Sequence, residues 1–154
     1  MVSNVSAAGT AKDLRGRAAE FCRFGVKEGT MYTDQQKREI ERVLTVFNPF
    51  IDQADYLEIV WSNKRQCYVS LFIDTTRDCF DGADEIHSAE EICDKCYTEI
   101  GNDILLENDR EYELWQMHKL ERDEFLRRVQ PYDAQLPEYH YLIERLLSPP
   151  AQAK

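Results

Sequence analysis

The chain has 154 residues, 43% of them hydrophobic and 31% charged, with a net charge of −10 and a pI near 4.8. That length can bury a core without disulfides or metals, and the acidity excludes nucleic-acid binding of the usual kind, which needs clustered lysine and arginine against phosphate. No apolar run reaches the roughly 18 residues of a membrane span or resembles a signal peptide, and five irregularly spaced cysteines (Cys22, Cys67, Cys79, Cys93, Cys96) are expected to stay reduced, so the chain reads as cytoplasmic.

Residues 1–30 read as a flexible, dispensable extension. Within them Thr10 to Lys27 can form a helix with Leu14, Ala18, Phe21 and Cys22 on one side. Lys27-Glu28-Gly29 can also be encoded by AAGGAGG, a ribosome-binding sequence of bacterial messages, just before Met31. On that reading Met31 is the true start and the source is bacterial or phage. The native product should then have the mass of a chain beginning at Met31; a mass that includes residues 1–30 rejects the leader.

Thr33 is the expected N-cap of a helix to about Phe47, with Ile40, Val43, Leu44 and Phe47 on its apolar face and Asn48-Pro49 interrupting it. Tyr56 to Trp61 and Cys67 to Ile73 are rich in β-branched and aromatic residues and predict a hairpin. Leu57, Ile59 and Trp61 are expected to share the core face with Cys67, Val69, Leu71 and Ile73, leaving Tyr56, Glu58, Val60, Tyr68, Ser70 and Phe72 on an aromatic face covered by a helix. Asp74 to His87 reads as an acidic loop with Gly82 as its flexible point.

Ser88 and Glu91 form a capping-box pattern before a helix to about Leu106, whose buried stripe is Ala89, Ile92, Cys93, Cys96, Ile100 and Ile104. Another helix is expected from Asn108-Asp109, with Glu111 and Glu113 in its first turns, Arg127 and Arg128 in its last, and Pro131 as its end. Pro137 should open a short helix presenting Tyr139, Leu142, Ile143 and Leu146. The expected fold is therefore α+β: a two-stranded antiparallel hairpin packed with about four helices, in the order α-β-β-α-α-α, as one small domain over 31–148, with 149–154 a disordered tail.

The charge imbalance sits in one segment. Asp74 to Glu113 holds fourteen acids and three bases, a net of −11, whereas residues 1–73 carry ten bases against nine acids and residues 114–154 six of each. Like charges at helical spacing repel. A face that tolerates this suits a basic partner surface, while plain solubility is the simpler reading. The residues expected to form that partner-binding surface are Asp78, Asp81, Asp84, Glu85, Glu90, Asp94, Glu99 and Asp103. Carboxylates about 6 Å apart along a helix can imitate phosphate spacing. The expected function is thus a non-enzymatic protein–protein interaction module, in its finer form a DNA-mimic inhibitor of a nuclease or other nucleic-acid-binding enzyme from a mobile element. Small acidic inhibitors of restriction enzymes and CRISPR nucleases work in this way, an analogy of charge and size alone.

Two alternatives come from other residues. Cys93-Asp94-Lys95-Cys96 has the spacing of a redox pair, and Cys79 and His87 would be the further ligands of a zinc site, although C-x7-H-x5-C-x2-C is no standard zinc spacing and both Cys93 and Cys96 fall on the core stripe. The acidic loop fails the calcium template at Arg77, Cys79 and Ser88. No cofactor or catalytic constellation is expected. The other alternative is an accessory subunit that binds through its aromatic hairpin face.

Overall fold

The computed structural model describes residues 31–151. The extension 1–30, the helix expected at Thr10 to Lys27 with Cys22, and the last three residues of the tail lie outside that range. Among the described residues the fold is α+β, with one three-stranded antiparallel sheet and four α-helices. The sheet has one strand more than expected, and the order is α-β-β-β-α-α-α.

Thr33 caps the first helix as its sequence predicts. Its hydroxyl accepts the Gln36 N–H at 3.0 Å while its own N–H donates to Gln36 Oε1 at 2.9 Å, a reciprocal capping box. Helix α1 spans Asp34–Gln53 and buries Ile40, Val43 and Phe47. It does not stop at Asn48-Pro49. A proline removes one donor, here the one that would reach the Thr45 carbonyl, and helical residues continue on both sides. Phe50 and Ile51 are half-buried, and the Ala54 N–H closes the end on the Phe50 and Ile51 carbonyls at 3.0 and 3.2 Å.

The described chain forms two compact units. One holds residues 31–39 and 49–88, including the sheet; the other holds 40–48 and everything from Ala89 onward, so α1 contributes to both.

In the sheet unit, β1 (Leu57–Ser62), β2 (Cys67–Asp74) and β3 (Cys79–Glu85) form a meander with β2 in the centre. The hairpin register departs from expectation by one residue on β1. The four-residue turn Asn63–Gln66 ends with Gln66 at φ 54°, its N–H on the Ser62 carbonyl at 2.8 Å, and pairs Ser62 with Cys67. Trp61 therefore lies opposite Tyr68, Ile59 opposite Ser70 and Leu57 opposite Phe72, while Val60 and Glu58 share the face of Val69 and Leu71. Because side chains alternate, a shift of one residue exchanges the faces of the entire strand.

The acidic loop expected from Asp74 to His87 is instead a tight turn and a third strand. Asp74 Oδ1 accepts the N–H groups of Thr76 (3.0 Å) and Arg77 (3.2 Å), and its Oδ2 meets Arg77 Nε at 2.7 Å. Asp78 then turns the chain with φ 51°, in the left-handed region. β3 pairs with β2 from Asp74↔Cys79 to Val69↔Glu85, with Asp81 as the extra residue of a bulge between the Ile73↔Phe80 and Phe72↔Gly82 pairs.

In the helical unit, α2 (Ala89–Glu107) buries the expected stripe and, in addition, Tyr97, Gly101 and Leu105. It ends in a Schellman motif with an aspartate in place of the usual glycine: Asp109 has φ 57°, its N–H reaches the Leu106 carbonyl at 3.1 Å, and the Arg110 N–H reaches that of Leu105 at 2.8 Å. That reversal overturns the expected helix from Asn108, so Glu111 and Glu113 lie outside any α-helix. A 3-10 turn at Leu114–Gln116 follows, and α3 runs from Lys119 to Asp133. Pro131 lies within its last turn and does not end it, because the donor it lacks would serve only the Arg127 carbonyl. Pro137–Tyr139 form a second 3-10 turn ahead of α4 (His140–Leu146), which buries Leu142 and Ile143. At the centre of this unit Phe47 packs edge-on to Tyr97 at 5.3 Å and stacks on Tyr132 at 5.0 Å.

Gly101 lets α2 approach the 3-10 turn: a Cβ there would lie 2.7 Å from Leu114 Cδ2, and Leu114 is buried. Gly101→Ala gains about 1 kcal/mol in helix propensity, but overpacking of about 1–3 kcal/mol outweighs it. We expect a net loss of stability in denaturant melts. Measured against the Leu114→Ala background, the same change should cost no further stability; a stabilised single variant would refute the contact.

Candidate acidic interface

The eight acids singled out in the sequence are divided between the two units. Asp78, Asp81, Asp84 and Glu85 belong to the sheet unit, and Glu90, Asp94, Glu99 and Asp103 to α2 in the helical unit.

On the sheet unit, Asp78, Asp81 and Asp84 are exposed. Asp81, the bulge residue, lies 3.7 Å from Arg77 Nη2. Asp84 follows Gly82, around which a Cβ would meet nothing within 4 Å. Glu85 faces the other side of the sheet and is occupied there: Arg65 Nη1 lies at 3.2 Å, and the Cys67 thiol donates to it at 3.6 Å.

On the helical unit, α4 meets two of the acids. Tyr141 donates its hydroxyl to Glu90, and Arg145 Nη2 lies 3.5 Å from Asp94, so residues four apart on α2 contact residues four apart on α4. Asn102 donates to Glu99 at 3.4 Å, and burial raises the Glu99 pKa against that hydrogen bond. Asp103 is half-buried. Further along α2, Glu107 holds Arg128 at 2.7 Å, which keeps its carboxyl below the usual range. Arg65, Arg128 and Arg145 all come from outside the acidic segment, so counting charge along the sequence overstates the open carboxylates.

The structure adds a carboxylate that sequence reasoning missed. Glu121, in the first turn of α3, is buried; it accepts the Tyr112 hydroxyl and, at 3.0 Å, the His118 N–H, and Arg110 Nε stands 4.0 Å away. The Tyr112 hydrogen bond leads in lowering its pKa. The His118-x-x-Glu121 spacing is a capping pattern and was the available signal.

Three of the described cysteines, Cys67, Cys93 and Cys96, are buried. Cys93 and Cys96 are fully buried on the α2 stripe, and burial pushes the Cys96 thiol far up, away from thiolate chemistry. Cys67 is also buried, and burial, followed by the charge of Glu85, raises it to about 11. Cys79 is exposed at the start of β3, and His87 is exposed after it. Among the described residues no group of three or more His, Cys, Asp or Glu is placed to hold a metal.

The aromatic face is not bare. Trp61 and Tyr68 meet edge-to-face at 5.0 Å, Tyr32 lies 6.5 Å from each, and Lys37 Nζ sits 4.5 Å over the Trp61 ring. Tyr32 also donates its hydroxyl to the Ile86 carbonyl at 2.5 Å and accepts the Tyr68 N–H at 2.9 Å. No helix among the described residues is long and apolar enough to cross a membrane. Comparison with protein-family models, curated proteins and solved structures finds no match to this chain.

Asp74 anchors the turn that presents Asp78 and Asp81. The Thr76 hydroxyl first, then Arg77, hold its carboxyl at about 2, below the ordinary 3.8. A depressed folded value means that the turn's stabilisation is present above pH 3.8 and is lost as pH falls through about 2. An NMR carboxyl titration should show Asp74 near 2, and in Thr76→Val the midpoint should climb toward 3.8. An unchanged midpoint in that variant would remove the hydroxyl as the cause.

Proposed function

We propose that the protein is a non-enzymatic, cytoplasmic interaction module that binds a basic protein surface through the acids of its sheet unit. The finer form of this reading is a DNA-mimic inhibitor of a nuclease. What supports it is the turn and strand from Asp78 to Asp84, where three carboxylates stand exposed in seven residues and, among the described residues, Arg77 is the one base within salt-bridge distance of any of them. The α2 acids Glu90 and Asp94 act structurally, on Tyr141 and Arg145, and take a lesser part.

The test is DNA cleavage by a panel of purified restriction and CRISPR nucleases, with and without the full chain, at low and high salt. Inhibition of at least one nuclease, relieved by salt, is the expected result. The triple variant Asp78→Asn, Asp81→Asn, Asp84→Asn should weaken that inhibition by about tenfold or more, the combined size of three exposed charge contacts. Its thermal stability should change little. Inhibition that persists undiminished in the triple variant rejects this surface, and a panel with no inhibited member rejects the DNA-mimic form.

A further inference from the structure

The acids of β3 lie on a strand that, among the described residues, has one open edge. Among the described residues the sheet order is β1-β2-β3, so β3 is paired on the β2 side alone. The register fixes which of its backbone groups face outward. The Ile86 N–H donates to the Tyr68 carbonyl at 2.9 Å, and the Ile73 N–H donates to Tyr56, on the β1 side, at 2.8 Å. Along β2, Tyr68, Ser70 and Phe72 therefore direct their backbone groups to β3, where they meet Asp84 and Gly82, while Val69, Leu71 and Ile73 direct theirs to β1. The N–H and C=O groups of Glu85, Ala83 and Phe80, which stand opposite that second set, point away from the sheet.

An open row of alternating donors and acceptors is a template for another extended chain. Charge decides which chain can use it. A second copy of β3 would bring its own acids beside Asp81, Asp84 and Glu85, and like charges across strands are destabilising. A lysine- or arginine-rich strand places opposite charge beside Asp81 and Asp84. Gly82 between them leaves open space on the Asp84 face, into which a long basic side chain fits. Glu85 is already held by Arg65, so the charges left for a partner are those nearer the turn.

We infer that the outer edge of β3 takes an extended, basic segment of a partner protein as a fourth strand. This rests on the acidic-module reading and specifies how the module would engage its partner. Recognition would combine main-chain hydrogen bonds from Ala83 and Glu85, which give register, with the charges of Asp81 and Asp84, which exclude acidic and neutral strands.

The experiment uses the full chain, isotope-labelled, with a short peptide of alternating lysine and valine as probe. A glutamate–valine peptide and a lysine peptide with proline in place of valine serve as controls. On binding, amide exchange at Ala83 and Glu85 should slow, while Gly82 and Asp84, already bonded to β2, should change little. Ala83→Pro removes an outward N–H without touching the β2 ladder, and it should weaken the lysine–valine peptide by about tenfold or more. If that variant misfolds, the exchange measurement on the unaltered chain decides alone. Binding without slowed exchange at Ala83 and Glu85, or equal binding of the proline-containing peptide, overturns strand addition while leaving the acidic module intact. Absence of any binding by the lysine–valine peptide also overturns it, and the nuclease assay then judges the module separately.

Discussion

The hydroxyl of Tyr32 occupies the place where the β2–β3 ladder would otherwise close, accepting the Tyr68 N–H and donating to the Ile86 carbonyl. One side chain thereby satisfies two backbone groups at the end of the sheet and ties that end to the start of α1. A buried backbone group left unpaired costs about 1–3 kcal/mol, which the bridge avoids at the end of β3. It also sets the Tyr32 ring beside Trp61 and Tyr68, and the following turn of α1 brings Lys37 over the indole. The aromatic face, β3 and the entry to α1 thus depend on a residue immediately after Met31.

The acids that define the chain's composition have divided roles. In the helical unit, the acids of α2 reach Tyr141, Arg145 and Arg128 on later helices, so part of the charge excess is used internally. Exposed ion pairs of this sort contribute about 0–1 kcal/mol each and orient more than they stabilise. On β3 and its turn the aspartates have few such partners, and charge along an edge strand also discourages indiscriminate pairing with other chains.

The burial of Cys67, Cys93 and Cys96 follows from what their neighbours require. Cys93 and Cys96 are spaced by three on a helix whose adjacent apolar residues, Ile92, Ile100 and Ile104, face the interior, so both thiols are carried inward with the stripe. A thiol removed from water holds its proton, and for Cys67 and Cys96 burial outweighs the opposing charges of Arg65 and Lys95. The spacing that resembles a redox motif also coincides with the helical period of the buried stripe.

The sequence by itself determined the elements whose signals are local. Thr33 with Gln36, the apolar stripe of α2, the β-branched runs of β1 and β2 and the buried face of α4 each follow from residues within a few positions of one another. Wherever a long-range partner decided the outcome, only the tertiary structure could supply it. β3 has poor strand residues, Asp81, Gly82 and Asp84, and exists because β2 offers an unpaired edge after the Asp74 turn. The faces of β1 were fixed by the number of turn residues before Cys67, which hydrophobic alternation does not count. The prolines at 49 and 131 interrupt less than their local chemistry suggests, since each removes a single donor from a helix that continues beyond it. The acidic surface was legible as charge, but which carboxylates remain open depended on arginines distant in sequence, because ion pairing is set by spatial proximity and carries no periodic signature along the chain.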